Sequence, residues 1–143
     1  MAKGDRIYEK ALHIAQIENP DLKYVFELLN KAISFGNHKA MYALATWYLY
    51  GKFVKKNYNK GFALLEKSLS GNIQEAYYDI AVCYETGKGV KKNNKMAFEF
   101  YLKSSLLGSK KAIYEIGRCY YYGIGIQKDM HIASIWLAFG EED

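Results

Sequence analysis

The sequence predicts an all-α fold built from about four antiparallel helix pairs. Three observations carry that expectation. The chain repeats against itself at an offset of 36, apolar residues within each copy recur every three or four positions, and Pro20 is its one proline. Helix spacing separates this pattern from the alternation of a strand, and a chain almost free of proline can stay helical throughout.

The first element is the amphipathic stretch "RIYEKALHIAQIE", followed by "NPD" (19–21), a short turn in which Asp21 is placed to cap the next helix. "YVFELLNKAISFGNHKA" (24–40) then reads as a second helix with Val25, Leu29 and Ala32 on its core face. Residues 6–39 form a degenerate pair that caps the array. Three copies follow, at 40–75, 76–111 and 112–143, opening "AMYALATWYLYGKFVKK", "AYYDIAVCYETGKGVKK" and "AIYEIGRCYYYGIGIQK". All lie in one repeat domain, 1–143.

Each copy reads as helix A, a loop and helix B. Helix A spans about 40–50 in the first copy, and helix B falls near 59–70, 94–107 and 129–139. The small residues Ala45, Ala81 and Gly117 let a neighbouring helix approach. Gly51, Gly87 and Gly123 stand just past the last apolar turn, where a left-handed cap is wanted. Tyr48, Tyr84 and Tyr120 are assigned to the core.

"GKGVKKN" in the second copy invites comparison with a phosphate-binding loop. That chemistry needs a glycine five residues before Gly-Lys and a hydroxyl after it; Val82 and Gly89 occupy those places, and the first copy has Phe53 where the others have glycine. The segment is the loop between helices A and B.

The columns A-x-x-x-(L/I)-(A/G)-x-x-Y-x-x-G-x-x-V, then A-x-x-x-(Y/L), closely resemble the Sel-one-like repeat, a relative of the tetratricopeptide repeat with a longer loop. The resemblance covers about 40–143, with departures at Phe53 and Gly61. It implies a right-handed α-solenoid, an α–α superhelix, whose members mostly act as adaptors or scaffolds, some resembling toxin-neutralising immunity proteins. The tetratricopeptide layout places helix A on the concave side, which nominates Lys39, Tyr42, Thr46, Leu49 and Tyr50 in the first copy. Glu75, Tyr78, Val82, Glu85 and Thr86 follow in the second, and Lys111, Tyr114, Arg118, Tyr121 and Tyr122 in the third.

Tyrosine and arginine are favoured at interface hot spots, so this surface suits a protein partner. The same tyrosines at 42, 78 and 114 also suit framework packing. Lys55, Lys56, Lys91 and Lys92 mark a basic rim, and the formal net charge of +5 favours a partner with an acidic face. Single-stranded nucleic acid stacking on the tyrosines is the second reading, ranked lower because Glu75 and Glu85 interrupt the groove.

Nothing in the spacing nominates a catalyst, metal or cofactor. His13, His38 and His131 fall in different elements. Cys83 and Cys119 occupy equivalent sites of adjacent copies, about 9–10 Å apart for packed helices and beyond disulfide reach. No apolar stretch is long enough to span a membrane, and reduced thiols with no signal-like N-terminus point to the cytoplasm. The chain is expected to be monomeric when free, with Trp136 turned inward against its own helix A and the charged tail "EED" in solvent.

Overall fold

The computed structural model describes residues 1–141, and within them the backbone is all helical: α1 (Lys3–Ala15), α2 (Leu22–Ser34), α3 (His38–Tyr50), α4 (Tyr58–Ser68), α5 (Gln74–Thr86), α6 (Asn94–Leu106), α7 (Lys110–Tyr122) and α8 (Met130–Glu141). A 3-10 turn at Leu69–Gly71 follows α4. Glu142 and Asp143, part of the expected solvated tail, lie outside the described residues. Successive helices pair as α1 with α2, α3 with α4, α5 with α6 and α7 with α8. The pairs group into two compact units, Met1–Gly71 and a second beginning at Asn72.

Capping explains the helix boundaries. The side chains of Asp21, Asn57, Asn93 and Asp129 accept from the backbone N–H three residues on, at 3.0–3.1 Å. Those caps start α2, α4, α6 and α8, and each satisfies one of the orphan donors of a first turn. The A helices begin earlier than apolar spacing alone suggests: Asn37 and Ser109 cap α3 and α7, and α5 starts in the same register after Ile73 without a side-chain cap. At the other end Gly51, Gly87 and Gly123 share φ of 72°, the left-handed conformation that a Cβ disfavours. The loop then folds back identically three times: the N–H groups of Asn57, Asn93 and Asp129 donate to the carbonyls of Tyr48, Tyr84 and Tyr120 at 2.8–2.9 Å.

Unit 1 is centred on Val25, Leu29, Ala32, Ala40, Leu44 and Trp47; unit 2 on Ala81, Ala97, Phe98, Tyr101, Ile116 and Cys119. The small column behaves as predicted, with Ala45 and Ala81 fully buried and Gly117 buried, a Cβ on which would meet Leu137 at 2.8 Å. Full burial of Ile80, Ile116 or Leu65 stabilises its unit by about 1.5–3 kcal/mol each. Tyr48, Tyr84 and Tyr120 are half-buried at the edge of the cores. Tyr84 stacks on Phe100 at 5.6 Å, and Tyr120 meets Phe98 edge-on at 5.5 Å. Trp136 packs inward onto the unit 2 core, as expected.

Phe53 holds φ of 61° without being glycine. Its ring lies 5.5 Å from Phe26 and 6.1 Å from Trp47, contacts that offset the backbone strain. Leu49 differs from the expectation of a groove residue. It is buried, because Gly61 leaves room for it: a Cβ on Gly61 would meet Leu49 Cδ2 at 2.7 Å.

Candidate functional site

In unit 2 the second and third A helices, α5 and α7, bring several nominated residues together. Arg118 on α7 donates from Nε to Glu115 at 2.7 Å and from Nη2 to Glu85 on α5 at 2.7 Å. Tyr101 on α6 donates to the same Glu85 oxygen at 3.0 Å, and the Tyr101 ring meets Tyr78 at 5.6 Å. Two carboxylates around one guanidinium leave this cluster with a formal charge of −1.

The environment sets each ionisation. Burial works against the Glu85 carboxylate, but the bonds from Arg118 and Tyr101 outweigh it and hold its pKa below the usual carboxylate value. Burial also opposes the Arg118 charge, and the bonds to Glu85 and Glu115 more than restore it. Burial, then the Glu85 charge, pushes the Tyr101 hydroxyl up, so it stays a donor. Tyr78 is raised too, first by burial and then by Glu115.

Beside this network α7 exposes aromatic surface. Tyr114, Tyr121 and Tyr122 are open to solvent, with Tyr121 and Tyr122 edge to face at 4.8 Å. Together with Arg118 and Leu137 the three tyrosines line a depression of about 180 Å³. Arg118, held by its carboxylates, lines this aromatic patch. Val82 is half-buried; Glu75 and Lys111 are exposed, and Lys91 and Lys92 stand exposed in the α5–α6 loop.

In unit 1, α3 carries Tyr42 and Thr46, half-buried, and Tyr50, 73% exposed. The Thr46 hydroxyl donates to the Ala43 carbonyl at 2.7 Å. Lys55 and Lys56 are exposed in the loop, Lys56 with its ammonium 5.7 Å from the Tyr58 ring centre. Unit 1 also has a polar cleft of about 290 Å³ that spacing did not reveal, lined by Asp5, Tyr8, Glu9, His38 and Lys39 among others. Asn37 anchors one wall: its amide donates to Asp5 at 2.8 Å while its oxygen caps α3 at Ala40. His38 shares a 2.9 Å hydrogen bond with Ser70. These partners stand 32 residues apart, so no local signal announces them.

The cysteines are separate, buried thiols, as expected. Burial pushes Cys83 up to about 11 and Cys119 up to about 12, so both are neutral at physiological pH and poor nucleophiles. Among the described residues no three His, Cys, Asp or Glu side chains are placed to hold a metal, and no helix is long and apolar enough to cross a membrane.

The family model for the Sel1 repeat matches three segments, 38–72, 74–109 and 110–138. Comparison with curated proteins gives no match by sequence. Among solved structures, a protective antigen of uropathogenic Escherichia coli with an SLR fold superposes with a TM-score of 0.90 at 21% identity, covering 96% of this chain and 30% of that one. A Sel1 repeat protein of Oxalobacter formigenes gives 0.87 at 23% identity, covering 96% and 58%. An immunity protein of Pseudomonas aeruginosa gives 0.66 at 24% identity, covering 98% and 53%. The chain thus spans from under a third to just over half of these proteins, and at such identities the likeness establishes the fold.

Proposed function

The chain belongs to the Sel1 repeat family, generally a non-catalytic protein-interaction fold, and we propose that it binds a protein partner through the exposed faces of its A helices. The observation that carries this reading is the patch of Tyr114, Tyr121 and Tyr122 around Arg118. The ion pairs to Glu85 and Glu115 fix the arginine in place, so a partner meets an ordered surface and less side-chain freedom is lost on binding. Tyrosine supplies contact area with few torsions to freeze. Within unit 2 the nominated Glu75, Tyr78, Val82 and Lys111 extend the surface along α5 and α7, and Tyr42, Thr46 and Tyr50 are the nominated residues of α3 in unit 1.

The loop lysines Lys55, Lys56, Lys91 and Lys92 favour an acidic region on that partner by speeding encounter. Likeness to immunity proteins supports a toxin-neutralising role beside a general adaptor role. Occlusion of a partner's site needs no chemistry from this chain.

The test is affinity capture from native lysate with mass spectrometry, using the native chain and a Tyr121→Ala/Tyr122→Ala variant. Both side chains are exposed, so the variant should melt as the native chain does. The expected result is a protein retained by the native chain and lost from the variant. Equal retention by both would remove the patch from the reading. Binding of single-stranded RNA that falls steeply with salt would favour nucleic acid instead.

A further inference from the structure

The B helices of the three repeats, α4, α6 and α8, occupy equivalent registers, so the same column can be compared on each. Two columns face solvent on all three. They hold Ala63 and Lys67 on α4, Glu99 and Lys103 on α6, and Ile135 and Phe139 on α8. Ile135 and Phe139 are each 56% exposed. The column between them holds Leu64, Phe100 and Trp136, all half-buried. On α6 the Lys103 ammonium lies over the Phe100 ring, 4.9 Å from its centre. On α8 the residue in that lysine's place is Phe139, and Ile135, Trp136 and Phe139 line an apolar depression of about 250 Å³.

This is not the face on which a following helix packs. On α6 that role falls to Phe98, which meets Tyr120 of α7 edge-on, and the equivalent residue of α8 is the exposed Ser134. A helix laid on α8 as α7 lies on α6 would meet Ser134 and leave Ile135 and Phe139 in water. Compared with α6, α8 carries a serine in place of the stacking Phe98 and apolar residues in place of the solvated Glu99 and Lys103.

We propose that this outer face of α8 binds a second copy of the chain, with the two α8 helices antiparallel. Two features favour self-pairing. A two-fold axis sets like residues close together, and α8, "MHIASIWLAFGE", carries no lysine or arginine, whereas α4 holds Lys60 and Lys67 and α6 holds Lys95 and Lys103. In a chain of net charge +5, this B helix is the one two copies can share without opposing cations. Its ionisable groups, His131 and Glu141, stand at opposite ends, so antiparallel pairing brings the imidazole end of each copy toward the carboxylate end of the other. The area is modest. A helix of 12 residues is about 18 Å long, which buries less than the roughly 800 Å² per partner of a strong dimer. The dimer is therefore weak, with a dissociation constant on the order of 10–100 µM.

Sedimentation velocity over about 5 to 500 µM tests this, a range that brackets the expected constant. The comparison is with Ile135→Glu/Phe139→Lys, which gives α8 the residues α6 already carries in those columns. The native chain should pass from monomer to dimer as concentration rises. The variant should stay monomeric throughout, with an unchanged melting temperature at low concentration; Phe139→Lys alone, the milder change, should weaken pairing without abolishing it. A native chain monomeric over the whole range would overturn the proposal and leave the face to a different protein. A dimer that survives the double substitution would overturn it equally.

Discussion

The first and third A-to-B loops share a backbone and differ in what fills it. Phe53 and Gly125 occupy the same column, with φ of 61° and 70°. In unit 1 the residue faces the Phe26 ring of α2, which welcomes an aromatic. In unit 2 a Cβ on Gly125 would lie 2.0 Å from the carbonyl oxygen of Asn94, at the start of α6. The left-handed turn alone therefore does not demand glycine; the approach of a neighbouring backbone does. The strain of a positive φ costs about 1–2 kcal/mol, which ring contacts can offset, whereas a backbone carbonyl cannot move aside without taking its helix with it.

The largest effect should come from giving the third loop a side chain. Gly125→Ala adds both the left-handed strain and the collision with Asn94, for an expected loss of about 3 kcal/mol. Denaturant titration of the native and mutant chains measures it. Hydrogen exchange should place the weakening in the 124–129 loop and the first turn of α6. A loss below about 1 kcal/mol would mean that the loop relaxes freely and that the comparison rests on φ alone.

The first loop sharpens the same contrast with two substitutions. Phe53→Ala keeps the left-handed backbone and removes the contacts to Phe26 and Trp47, an expected cost of about 1–2 kcal/mol for a half-exposed ring. Phe53→Gly loses the same ring but relieves the backbone, and should be more stable than Phe53→Ala by about 1 kcal/mol. Alanine equal to or better than glycine would show that the positive φ carries no strain here.

What the sequence revealed and what it hid follow the same division between local and distant causes. The period, the cap glycines 51, 87 and 123, the small column at 45, 81 and 117, and Asp21 as a cap are local features. Each is decided within a turn or two of chain. Leu49 was misplaced because its burial depends on Gly61, across the helix pair. The two departures from the repeat pattern, Phe53 and Gly61, turn out to be local accommodations of unit 1, each paired with a side chain that exploits it. Glu85 and Arg118 were legible as residues of the helix A faces. Their mutual pairing, and the part played by Tyr101, required knowing how α5, α6 and α7 pack. The N-cap column Asn57, Asn93 and Asp129 was readable in principle: a polar cap residue recurs there at the repeat period.

The smallest expected effect concerns the other difference between the units, the charged network that unit 2 holds on its A helices. Thr46 occupies in unit 1 the column that Arg118 fills in unit 2, and it bonds only within its own turn. Acid should therefore act on unit 2 through a route that this column lacks in unit 1. The Glu85 carboxylate has its folded-state pKa depressed below 4.5 by Arg118 and Tyr101, against the opposing pull of burial. Its contribution to stability is then fully present above 4.5 and is lost as pH falls through the depressed value. Because burial cancels part of the gain, the effect should be smaller than either loop substitution. Comparing denaturant midpoints of the native chain and Glu85→Gln isolates it from other titrating carboxylates. Glutamine keeps the shape and an acceptor for Tyr101 but cannot answer the Arg118 charge. The native advantage should be steady near neutral pH and shrink as the medium is acidified below 4.5. No native advantage at any pH would mean that Glu85 matters through the shape it shares with glutamine rather than through its charge. Unit 2 would then be held by packing in the same way as unit 1.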